Sequence, residues 1–152
     1  VHIELTGECY DGTSQNVCAT IPGTDKPSEV ITLGGHYDSV YFSSGVHDNL
    51  SGSVIVLELL RYFAAHPPRR TLRFCWFGSE EQGLLGSKAY VKAHADELKD
   101  CVAMLNFDVA APTLGSNHLV TLATDDALHY VAGVLREAGY GVRAKRLHPL
   151  RG

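Results

Sequence analysis

Two adjacent acids, Glu80 and Glu81, follow an apolar run that closes on Phe77-Gly78-Ser79. Leu72, Phe74, Trp76 and Phe77 read as a strand covered on both faces, with a helical pattern beyond the acids, so the pair sits where a buried strand stops. Neighbouring carboxylates repel, and partly buried charges must be paired, protonated or bound to a metal. Alone, such a pair is a helix opening favoured by the macrodipole. The rest of the chain supplies reasons for more. His36 ends the apolar run 30–35, Asp108 ends the run 102–107, and Asp48 stands where a helical pattern opens after the first of these. One neutral imidazole among several carboxylates is a hard-to-borderline donor set, suited to Zn2+, Mn2+ or Co2+. Two metals sharing a bridging carboxylate neutralise so many acids better than one, and Asp48, short and on a tight loop, is the natural bridge. Asp38, two residues past His36 on the same side of an extended chain, is placed to accept the imidazole's other N–H and fix its tautomer. Within the acid pair, a ligand must be ionised while a general base should titrate near working pH, so the two carboxylates are expected to divide those roles. A metal lowers the pKa of water from about 15.7 to about 7, and hydrolysis of an unactivated amide is the reaction that warrants such equipment.

The elements that must position these residues follow from periodicity. Val1, Ile3 and Leu5 alternate, Asp11-Gly12-Thr13 interrupts, and residues 15–21 alternate again, which predicts an N-terminal antiparallel hairpin. Residues 30–35 predict a buried strand. Val54, Leu57, Leu60 and Phe63 have helical spacing, stopped by Pro67-Pro68. Residues 70–77 form the strand that delivers the acids, 84–98 are mainly helical, and 102–107 are a further strand. Residues 119–123 are strand-like, 127–138 an amphipathic helix closed by Gly139, and 142–147 begin another strand. This alternation predicts an α/β fold, a three-layer α/β/α arrangement around a mixed, mostly parallel sheet. Ligands of open α/β sheets bind off the carboxyl ends of strands, so His36, the acid pair and Asp108 should converge on one rim with Asp48.

Composition narrows the function. The chain has 152 residues and a formal net charge of -4. It is read as one catalytic-type domain over 1–152 with a substantial core. Its basic residues are scattered, and Arg69, Arg70 and Arg73 suit a solvated strand start better than a nucleic-acid surface. No apolar run approaches the length of a transmembrane helix. Four cysteines without a C-x-x-C pair exclude a disulfide scaffold or zinc knuckle. Cys75 and Cys101 read as buried thiols, and Cys9 and Cys18 flank the predicted hairpin turn, where free thiols are expected over a cross-strand disulfide. Because the chain opens at Val1 inside a strand-like alternation, neither end is read as natural.

The segments "GGHYDS" at 34–39, "GVHDNLSGS" at 45–53, "FGSEEQGLLGS" at 77–87 and "LNFDVA" at 105–110 together resemble the M28 family of di-zinc aminopeptidases in type, order and spacing. The resemblance implies two Zn2+ ions, with Mn2+ or Co2+ as substitutes, and a peptide substrate with a free N-terminus. By position it implies that His36 and Glu81 bind one metal, Asp48 bridges both, Asp108 binds the second, Glu80 is the general base toward the water between them, and Asp38 orients His36. It also implies a cis peptide at Asp48-Asn49. The family's last ligand, a histidine preceded by aspartate, has no counterpart at His118, His129 or His148, and is expected beyond Gly152 with the final strand and helix of the domain. His47 reads as a loop side chain near the substrate. Three alternatives are a glutaminyl cyclase-like acyltransferase with one zinc, a non-catalytic binding module on the same fold, and a metal-dependent deacylase of a neighbouring family. The short interval from His36 to Asp48 and the Asp-Asn-x-Ser-Gly sequence favour M28 over the deacylase.

Overall fold

The computed structural model describes residues 1–8, 10–110 and 116–147. Two compact units follow one another along the chain, residues 1–108 and 109–152. The first holds a four-stranded sheet in the order β1-β3-β2-β4, built from β1 (Val17–Ile21), β2 (Lys26–His36), β3 (Arg70–Phe77) and β4 (Cys101–Asn106). β2 runs parallel to both β3 and β4, while β1 is antiparallel to β3. The mixed α/β class read from the sequence is therefore present. The second unit pairs β5 (Asn117–Thr121) with β6 (Val142–Arg146) in parallel, joined by α3 (Asp125–Glu137). Thr124 caps α3, accepting a hydrogen bond from the Ala127 N–H.

Period-two alternation along β3 builds both layers of the first unit. Leu72, Phe74 and Trp76 face α1 (Ser51–Ala65) and pack with Leu33, Val56, Leu59, Leu60 and Phe63. Cys75 and Phe77 face the opposite side, where α2 (Leu85–Ala93) contributes Tyr90 and the following 3-10 turn contributes Leu98. Arg73 lies on this second face too, donating to the Tyr90 hydroxyl and pairing with Glu97. Arg69 and Arg70 are likewise satisfied locally, by Asp25 and Glu29. No helix among the described residues is long and apolar enough to cross a membrane.

Two expectations change. The hairpin does not form, because no strand is found among the described residues 1–16 and residues 17–21 pair with β3 instead, from Val17 opposite Trp76 to Ile21 opposite Leu72. An isolated two-stranded hairpin is marginal in water, whereas β3 offers a buried ladder and lets Ala19 and Ile21 join the core. In α1 the buried face is rotated from the one predicted. Val56, Leu59, Leu60 and Phe63 turn inward at i, i+3, i+4 and i+7, leaving Val54 and Leu57 exposed. Val54, Ile55, Val56 and Leu57 are consecutive, so the sequence offers several apolar stripes and packing on β3 selects one.

Candidate metal centre

His36 is the last residue of β2 and only 3% exposed. Ser53 of α1 donates its hydroxyl to the His36 carbonyl at 2.7 Å, and the Trp76 indole N–H donates to the Ser53 carbonyl at 3.0 Å, tying strand end, helix start and core together. The Nδ1 atom lies 3.0 Å from the Asp38 carbonyl oxygen. A carbonyl can only accept, so the proton belongs on Nδ1 and Nε2 is left as the free nitrogen. Nε2 faces Asp48 Oδ1 at 3.0 Å and Asp108 Oδ1 at 3.4 Å. A lone pair opposite two carboxylate oxygens calls for a positive charge between them. Burial opposes the imidazolium, yet the charges of Asp108, Glu80, Asp38 and Asp48 outweigh it and hold the His36 pKa above its ordinary value.

Asp48 sits on a wide turn that starts at Gly45, whose φ of 65° suits glycine, and closes with Leu50 N–H on the Gly45 carbonyl at 2.8 Å. The Asp48-Asn49 peptide is cis, as the resemblance implies. Asn49 is 1% exposed. Its amide donates to the Phe107 carbonyl at 2.9 Å and its oxygen accepts the Gly52 N–H at 3.0 Å. The residue after Asp48 thus holds the residue before Asp108. Gly52 is required for this approach, since a Cβ there would lie 2.1 Å from the Phe107 carbonyl oxygen.

The acid pair occupies a loop turned by Ser79, a non-glycine residue at φ 54°. Its Glu80 and Glu81 N–H groups both donate to the Asp38 carboxylate, at 3.0 and 3.2 Å. Sequence reasoning assigned that carboxylate to the His36 N–H, but its nearer oxygen stands 3.4 Å from Nδ1 and the Asp38 main chain holds the imidazole more closely. Asn16 brackets the same loop, accepting from Gly78 N–H at 3.1 Å and donating to the Gly86 carbonyl at 2.9 Å. Burial is the largest cause raising the Glu80 pKa; His36 pulls it down, while Asp108, Glu81 and Asp38 push it further up.

Donor atoms of His36, Asp48 and Glu81 lie within 4.8 Å of one another. Asp108 reaches His36 but stands outside that triad, and Glu80 feels the charge of the whole group. This donor set, with its oriented imidazole and excess negative charge, fits a divalent cation. His47 is exposed on the Asp48 turn, His118 bonds to Ser116 within the second unit, and His148 lies outside the described residues, as does Cys9. Asn16, Asn49 and Ser53 went unnoticed as positioning groups. Asn49 and Ser53 sit inside the recognised motif, whereas nothing local marks Asn16.

The sequence profile of Peptidase family M28 matches residues 16–148. The chain belongs to this family. The M28 chain is 42% identical over 92 residues to an aminopeptidase of Pseudomonas aeruginosa, a match covering 59% of this chain and 17% of that enzyme. It is 44% identical over 107 residues to leupeptin-inactivating enzyme 1 of Streptomyces exfoliatus, covering 68% and 24%. Its fold is similar to the crystal structure of a zinc aminopeptidase from Bacillus subtilis, with a TM-score of 0.76 and 27% identity over 86% of this chain and 34% of that one. The chain therefore spans a minor part of the relatives it matches, 17% to 34% of these three lengths.

Proposed function

We propose that this M28 chain forms the greater part of the metal site of an aminopeptidase that hydrolyses N-terminal peptide bonds. The observation that carries the reading is the cluster of His36, Asp48 and Glu81 donor atoms within 4.8 Å beside an acid loop anchored on Asp38. His36 and Glu81 would hold one zinc, Asp108 a second, with Asp48 shared between them. When bound, zinc polarises the scissile carbonyl and acidifies water. The chain's own residues do the rest. Glu80, with its pKa raised toward working pH, accepts a proton from the attacking water and returns it to the departing amine. Half-exposed Asp48 and Asp108 leave an acidic rim suited to the substrate's cationic N-terminus. Relatives named aminopeptidases favour this reading over the cyclase, and the presence of His36, Asp48, Glu81 and Asp108 together with Glu80 favours it over a binding module.

The test is hydrolysis of aminoacyl anilides by the complete protein before and after chelation, and by Glu80→Gln. Activity should vanish on metal removal and return with zinc. Glu80→Gln should lose on the order of 10²- to 10⁴-fold in kcat with zinc binding retained. Unchanged turnover after either treatment defeats the mechanism.

A further inference from the structure

Edge strand β1 carries one thiol and its neighbour β3 another. Cys18 lies directly opposite Cys75 in the antiparallel ladder, and the two sulfurs stand 3.5 Å apart. Directly opposed residues point to the same face of the sheet and have Cα atoms about 4.5 or 5.5 Å apart, both inside the span of roughly 4.4–6.8 Å that a disulfide bridges. Their environments differ sharply. Cys18 is exposed, while Cys75 is wholly buried beside Phe77 and Tyr90. Neither belongs to the metal centre, and Cys101 is on β4, at the other edge of the sheet.

We propose that Cys18 and Cys75 form an oxidative modification site, where a peroxide converts the paired thiols into a cross-strand disulfide that staples β1 to β3. The exposed partner reacts first. Cys18 sulfur attacks a peroxide oxygen, the O–O bond breaks, and a sulfenic acid and water result when hydrogen peroxide is the oxidant. Cys75 sulfur then attacks the Cys18 sulfur, the S–O bond breaks, and the hydroxyl leaves with the Cys75 proton as a second water. Two thiols are oxidised by two electrons and one peroxide is reduced. Burial keeps Cys75 from meeting bulk oxidant. It also pushes the Cys75 thiol up to about 12, with the Cys18 sulfur adding to the rise, so Cys75 is a slow nucleophile that reacts only with the sulfur held 3.5 Å from it. The staple has a structural consequence. It joins residues 57 apart at a position two residues from Asn16, whose side chain brackets the acid loop at Gly78 and Gly86.

The full chain is treated with dithiothreitol or with a small excess of hydrogen peroxide, then alkylated, digested without reduction and mapped by mass spectrometry. A Cys18–Cys75 linked peptide, two hydrogens lighter than the two parents and lost on reduction, is the expected result. The oxidised chain should melt roughly 10 °C above the reduced chain, as expected for closing a loop of this size. Cys18→Ser, an exposed edge change, should abolish both the link and the shift. Cys18 trapped as a stable sulfenic acid with Cys75 still a thiol, or Cys18 linked to Cys9 instead, overturns the assignment. So does a linked product that leaves the melting temperature unchanged.

Discussion

Asp38→Asn separates the orienting role of this carboxylate from simple ligation. The parent side chain accepts two main-chain N–H groups, those of Glu80 and Glu81, at 3.0 and 3.2 Å. Hydrogen bonds to a charged acceptor contribute roughly 1.5–3 kcal/mol each. Asparagine offers one oxygen to two donors and turns an NH2 toward the other, so one bond is lost and the remaining one loses its charge. Asp38 is 22% exposed, and water replaces part of the loss, which leaves about 2 kcal/mol. Because Glu81 is carried on the anchored main chain, that loss falls on the metal-binding geometry. At about 1.4 kcal/mol per tenfold, zinc should bind some 10- to 30-fold more weakly, in the range of roughly 10- to 100-fold expected for partners of metal ligands. Calorimetric titration of zinc into chelated parent and variant measures the change, with circular dichroism confirming the fold. A zinc affinity within about twofold of the parent, with the fold intact, refutes the argument that Asp38 positions the acid loop.

Further outcomes follow from the same structure. Asn49→Ala leaves the Phe107 carbonyl and Gly52 N–H without their side-chain partner in a buried setting, and should cost roughly 3 kcal/mol in urea unfolding. Phe74 is 0% exposed at the centre of the core, so Phe74→Ala should cost about 3–5 kcal/mol by the same measurement. Glu97 has its pKa held below the ordinary 4.5 by the His94 hydrogen bond and by Arg73. A depressed carboxylate contributes stability that is present above its unfolded pKa and lost as pH falls through the folded one, so NMR should show Glu97 titrating below 4.5 and Glu97→Gln should flatten the melting profile only on the acid side.

Much of the architecture was open to reading because it is written in local pattern. The closing stretch 74–77 of β3 is apolar on both faces, and such a run has few places to go except the middle of a sheet. Pro67-Pro68 ends α1 for a reason contained in the proline ring. The acids, His36 and Asp108 each close an apolar run, and a parallel sheet places the carboxyl ends of its strands together, so their meeting was legible as well.

What sequence could not supply depended on choices between competing partners far apart in the chain. Residues 15–21 alternate whether they pair with residues 1–10 or with β3, and only the buried ladder of β3 decides. The apolar stretch 54–57 permits more than one helix face, and packing around Phe74 selects Val56. Asp38 was recognisable as a partner of the site, but whether its two oxygens would serve the imidazole or the N–H groups of Glu80 and Glu81 depends on where a loop 42 residues away comes to rest. Residue types and spacing determined which groups could form a metal site. Tertiary structure decided which hydrogen bonds orient them, because a carboxylate's lone pairs go to whichever donors the completed fold brings within about 3 Å.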